Sequence, residues 1–213
     1  MKKLLAVSVL IFAIMIASPG MSQDTKQIKK DIEKKAMKDA RKEAKKLTKE
    51  GFKVAPGQLP MDKQIEATWI KRYEMDDKGN KMWFVSDARA LGETHSAAKM
   101  QANEVAKINL ANQIGSEVAG LVETNIANAQ LNAEDAASVT ETVATFKSIV
   151  GSKIGRTSTF FEADRAIDKN TEVFVTIGYN YKDAVEMAKD IIRGEMKEKT
   201  KVQSEQIDQI LDF

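Results

Sequence analysis

The chain has no cysteine among its 213 residues, so whatever it folds into is held by packing alone. That absence removes disulfides, thiol chemistry, thiolate zinc sites and the sulfur on which bacterial lipid anchors are built. A chain this long can still bury one sizeable core and carry appended helices.

The opening run MKKLLAVSVLIFAIMIASPGMS reads as a secretory leader over residues 1–22. Lys2 and Lys3 supply its positive start, residues 4–17 an apolar stretch short for a membrane span, and Gly20 and Ser22 the small residues of a cleavage site. The expected product is exported, to the periplasm or the outer membrane, with the medium as a third destination. No second apolar run is long enough to span a bilayer, so no transmembrane segment is expected after cleavage.

Removing Lys2 and Lys3 from the 33 basic residues leaves 31, equal to the 31 acidic ones. The neutral total hides an asymmetry, because residues 23–75 hold 15 Lys and Arg against 9 Asp and Glu. A basic front section and an acidic body are expected to attract each other or to leave the front section solvated, with contact to an acidic partner as the alternative. A neutral, exported chain without interleaved aromatics makes nucleic acid a poor partner.

Residues 24–50 are dense in charge, lack Pro and Gly, and repeat Ile28, Ile32, Ala36, Ala40, Ala44 and Leu47 at helical spacing. Gly51 is placed to close this helix and Phe52 to fold back on its last turn. The stripe is mostly alanine, so a docked or partly free arm over 23–52 is expected rather than a membrane helix, which needs bulkier residues. Residues 53–60, KVAPGQLP, form a linker. An α+β domain over 61–200 and a polar tail over 201–213 complete the organisation.

Within that domain Met61, Ile65, Trp69 and Tyr73 recur every fourth residue, predicting a short helix over 60–74 with Pro60 in its first turn, a strand around Trp69 being the alternative. Residues 76–80 form a turn whose acids lack calcium-loop spacing. Trp83, Phe84 and Val85 predict a strand over 81–91, Gly92 ends it, and Thr94 caps a long helix over 95–129. Ala102, Ala106, Leu110, Ile114, Val118, Leu121 and Asn125 mark the stripe expected to cover a sheet. Asn132 caps a helix over 133–150 bearing Val139, Val143, Phe146 and Val150. Strands are expected over 151–164 and 173–181, joined by a hairpin turn at 168–171. A last helix starts at Asp183. The fold class is α+β: a long helix on a small antiparallel sheet of about three strands, with a charged N-terminal helix and a C-terminal helix.

The block from Lys81 to Val118 resembles the signature of the small bacterial envelope lipoproteins of the "lipoprotein-twenty" family. That signature has an aromatic strand ending in glycine, a helix with alanines one turn apart, and an Asn-Leu-Ala run followed by Gln-Ile. Here these are Gly92, then Ala98, Ala102 and Ala106, then Asn109, Leu110, Ala111, Asn112, Gln113 and Ile114. Residues 155–161 and 173–179 look similar to the family's next strands, so the likeness spans about 78–185. It is also similar to the N-terminal domain of a flagellar assembly protein. The resemblance implies a long helix on a small antiparallel sheet, an envelope assembly role, and no assigned enzyme chemistry. The lipidated cysteine of the family is missing.

His95 is the only histidine, so a Ser-His-Asp triad or a histidine metal site has to use it. Its position beside Thr94 at a helix start reads as a surface residue near a cap. Asp87, Glu93 and Asp164 are the carboxylates a glycosidase-like pair would draw on, although nothing in their spacing favours them. Gly115 and Gly120 mark close helix crossings or a kink. Trp69, Trp83, Phe84, Phe160 and Phe161 read as core. Strand residues pointing away from the helix, or an uncovered sheet edge, are where a partner would dock.

No catalytic, cofactor-binding or metal-binding residue is expected. The expected function is a non-enzymatic envelope protein acting as a protein-interaction or assembly module, with an envelope protein as partner and homo-oligomerisation open. A soluble carrier of a small apolar ligand is the alternative, and a carboxylate hydrolase the third reading.

Overall fold

The computed structural model describes residues 21–77, 79–126, 129, 131–200 and 202–213, the side chains of 21–30, 32, 33 and 36 excepted. The leader expected over 1–22 lies outside these residues but for the backbone of Met21 and Ser22, as do the side chains of Ile28, Ile32 and Ala36. Among the described residues no helix is long and apolar enough to cross a membrane.

The order of elements is α1 (Met21–Lys49), α2 (Met61–Tyr73), β1 (Trp83–Gly92), α3 (His95–Ile126), α4 (Ala133–Lys153), β2 (Ser158–Ile167), β3 (Asn170–Asn180), α5 (Tyr181–Lys199) and α6 (Ser204–Ile210). The strands form one antiparallel sheet in the order β1-β3-β2. This is the α+β class, with β3 paired on both edges.

Alternation along the strands divides the molecule into two apolar layers. On one face Phe84, Ala88, Ala90, Val173, Val175 and Ile177 meet the stripe of α3 in the main core, which α4, α5 and α6 complete. Ala98, Ala102, Ala106, Leu110, Ile114 and Val118 are all fully buried in it. Further along α3 the buried residue is Val122 rather than Leu121, which is only half-buried. The other face carries Phe161, Ala163 and Phe174, which with Ala40, Ala44, Leu47, Phe52 and Ile65 form a smaller second core under α1 and α2.

Local signals explain most element ends. Asn132 accepts from the Asp135 amide at the start of α4, and Asn180 does so from Lys182 and Asp183 at the start of α5. The hairpin between β2 and β3 turns at Asp168, whose φ of 53° is tolerated by aspartate. Three expectations are corrected. The helix α4 runs through Gly151 to Lys153, so β2 is not 151–164 but begins at Ser158 and continues to Ile167. Gly151 does not stop the helix, since its φ is not positive, and a Cβ on it would make only an ordinary contact, 3.5 Å from Ala111. Tyr181 opens α5 instead of closing β3, and the tail forms α6, burying Ile207, Ile210 and Leu211 in the main core.

Gly115 does mark a crossing, with Lys147 of α4 at 3.4 Å from where its Cβ would be, whereas Gly120 faces open space.

Candidate functional site

The face of the sheet turned away from α3 holds the most site-like feature. Two helical pieces are brought over it by short-range chemistry. Gly51, at φ 91°, reverses the chain after α1, and the Phe52 amide donates to the Leu47 carbonyl at 2.9 Å. Lys53 then pairs with Asp164 on the edge of β2 through both backbone bonds, at 2.8 and 2.9 Å. After the loop, Gln64 of α2 donates to the Leu59 carbonyl at 2.8 Å and fixes the entry to that helix.

Between α1, α2 and the sheet lies a cleft of about 260 Å³. Ile65, Phe161 and Phe174 give it an apolar interior, and Trp69 and Tyr73, with ring centroids 5.9 Å apart, flank it. Tyr73 is 46% exposed and Trp69 half-buried, so both present aromatic surface at the rim. Polar chemistry is gathered at one point, where Asp87 accepts from Arg72 at 2.7 and 2.9 Å and from Thr176 Oγ1 at 2.7 Å. Arg72 and Asp87 remain partly open to water, so their attraction is screened, and its value here is orientation of the guanidinium.

A bulge shapes the floor of this face. Thr159 pairs with Ile177 and Phe161 with Thr176, leaving Phe160 as the extra residue. Both phenylalanines therefore lie on the outer face: Phe161 edge-on to Phe174 at 5.2 Å, Phe160 edge-on to Trp83 at 5.2 Å. Alongside, the guanidiniums of Arg89 and Arg165 stand 5.0 and 4.7 Å from the Phe52 ring. Arg165 also donates to the Glu50 carbonyl at 2.8 Å, where α1 ends.

The aromatics expected as core divide accordingly. Phe84 and Phe161 are buried, while Trp69, Trp83 and Phe160 are half-buried on the outer face. The expected attraction of basic front for acidic body is seen in Arg72 with Asp87. A second ion pair between them, Arg89 with Glu50 at 3.3 Å, has its charges the other way round. Docking of α1 rests instead on Ala40, Ala44, Leu47 and Phe52.

The carboxylates considered for catalysis do not converge. Asp87 pairs with Thr176 on the outer face, Asp164 with Val173 on the α3 face, and Glu93 is exposed in the loop before α3. His95 is brought near Asp164 and Glu162, at 3.9 and 3.7 Å, beyond hydrogen-bond length. Lys99 takes the second oxygen of Glu162 at 2.8 Å. Thr94 caps α3 as expected, accepting from the Ala97 amide at 3.2 Å. Among the described residues no group of three or more His, Asp and Glu side chains is arranged to hold a metal ion. Sequence reasoning missed Arg72 and Thr176, since both meet Asp87 only through tertiary packing.

No family model matches the chain, and neither a curated protein nor a solved structure is significantly similar to it.

Proposed function

We propose that this is an exported, non-enzymatic cell-envelope protein that works as a protein-interaction or assembly module. The observation that carries this reading is the outer cleft, with Trp69 and Tyr73 at its rim and the Arg72 guanidinium held by Asp87 inside. Tryptophan, tyrosine and arginine around a small recess are the residues that dominate protein–protein binding energy. At about 260 Å³ the recess is smaller than the pockets that enclose whole small molecules, roughly 300–1,000 Å³. One or two side chains of a partner fit it better than an entire apolar ligand does.

The envelope setting is supported by the leader-like opening and by the likeness to the lipoprotein-twenty family. Supporting that likeness, the signature residues meet at one joint: Gly92 closes β1 against the start of α3, whose Ala98, Ala102 and Ala106 are fully buried.

Crosslinking in intact cells followed by affinity capture tests the proposal. Capture of an envelope protein by the wild type, lost in Tyr73→Ala, a position 46% exposed, with the melting temperature unchanged, is the expected result. Recovery of the same proteins by both forms would reject the cleft. An apolar molecule retained in native mass spectra of gently purified protein would favour the carrier reading instead.

A further inference from the structure

The two edges of the sheet are treated differently. On β2 the bulge at Phe160, the bridge to Lys53 and the charged pair Glu162–Lys99 break up the edge, the usual means of preventing strand addition. On β1 the ten-residue strand pairs with β3 in unbroken register, and among the described residues no segment pairs with its other side. One backbone group there is covered: Gln113 of α3 donates to the Val85 carbonyl at 3.3 Å. That contact fixes the direction of the others. If Val85 points outward, then Asp87, Arg89 and Leu91 do so as well, by the alternation of antiparallel ladders.

From this edge we infer that a second copy of the chain pairs with β1, antiparallel, about a two-fold axis at Ala88. The stretch Val85–Ser86–Asp87–Ala88–Arg89–Ala90–Leu91 is self-complementary in that register. Asp87 falls opposite the partner copy's Arg89, and Val85 opposite its Leu91, each twice by symmetry. All four are outward-directed positions, so they form hydrogen-bonded pairs. Opposite charges and apolar pairs facing across strands are the favourable combinations. A shift of two positions would set Arg89 against Arg89, so the charges also select the register. The Val85 carbonyl has two lone pairs and can accept from the second strand while Gln113 stays.

The helix above the edge is suited to the same axis. Stepping back from Gln113 one turn at a time gives Asn109, Val105 and Gln101, the side of α3 that overlooks β1. Val105 is 38% exposed, the neighbouring Ile108 58%, and Leu91 46%. These exposed apolar side chains flank the edge left unpaired among the described residues, and doubling the three-stranded sheet would cover them. The inference shares Asp87 with the outer cleft, where its carboxylate also accepts from Arg72 and Thr176, but it does not rest on what that cleft binds.

Sedimentation equilibrium and residue-resolved hydrogen exchange on the protein itself test it. A reversible dimer is expected, in which the amides of Asp87, Arg89 and Leu91 exchange slowly at high concentration and fast on dilution. Val105→Glu, on a half-open helix surface, should shift the equilibrium to monomer without changing the circular dichroism spectrum. Protein that stays monomeric at its solubility limit would overturn the inference. So would a dimer whose β1 amides remain unprotected or which Val105→Glu leaves intact.

Discussion

Gly178 lies beneath the ring of Phe160, so closely that a Cβ on residue 178 would stand 2.2 Å from Phe160 Cε2. The bulge that brings Phe160 to this face and the glycine that receives it are one arrangement, and Trp83 packs edge-on against the same ring. Gly178→Ala must push the ring aside. The expected loss is about 1–3 kcal/mol in urea unfolding, as for overpacked cores. Tryptophan fluorescence should change with it, because Trp83 loses its neighbour.

Gly92 meets a harder obstacle, the backbone of the next helix, with the Ala98 nitrogen 2.6 Å from where a Cβ would be. A methyl group there cannot be relieved by a side-chain rotation. Gly92→Ala is expected to cost at least as much as Gly178→Ala, roughly 1–3 kcal/mol or more. Ala98→Gly in the same molecule should not restore it, since the clash is with main-chain atoms. Equilibrium unfolding of the single and double variants checks this.

Phe52 ties α1 to the sheet. It is 1% exposed, and it packs edge-on to Phe174 with centroids 6.3 Å apart. Truncating it removes the largest side chain the turn after α1 gives to the second core. Phe52→Ala is expected to cost about 3–5 kcal/mol of stability in that layer. Hydrogen exchange should then quicken along α1 from Ala40 to Lys49 while α3 stays protected, because the main core lies on the other face of the sheet.

Tyr181 contributes a pH dependence in the alkaline range. Burial first, then the charge of Glu117 and a hydrogen bond to it, raise its phenol above the ordinary value of 10.0. Glu117 is also the ion-pair partner of Lys81, whose ammonium lies 4.1 Å from the Phe84 ring centre. The folded state thus holds the phenolic proton more tightly than the unfolded chain does. Its stabilising contribution is complete below pH 10.0 and is lost as pH rises from there through the raised folded value. Tyr181→Phe should flatten that part of the stability curve, read as the difference between wild-type and variant urea midpoints across the alkaline range.

The elements with dense local signals were legible from the amino-acid order. Asn132, Thr94 and Gly51 each announce a helix end with a side-chain acceptor or a left-handed turn, and the structure uses all three. The i, i+4 stripe from Ala102 to Val118 likewise identifies the helix that covers the sheet. Gly151 is a false stop, because glycine closes a helix where it takes positive φ, and here it keeps helical backbone inside Ala133–Lys153. The paired outward placement of Phe160 and Phe161 had no visible cue, since a bulge breaks the period on which strand faces are read. The outer cleft was less legible still. Arg72, Asp87 and Thr176 come from three elements, and their spacing in the chain has no periodicity to detect.

The middle strand, β3, answers to two layers at once: Val173, Val175 and Ile177 belong to the layer under α3, Phe174 and Thr176 to the one under α2. Its residues have little room to vary. Trp69, Arg72 and Tyr73, by contrast, sit on a helix that touches only the outer layer. Descendants of this chain can therefore exchange one recognition surface for another by redrafting α2 alone, while the inner architecture is inherited unchanged.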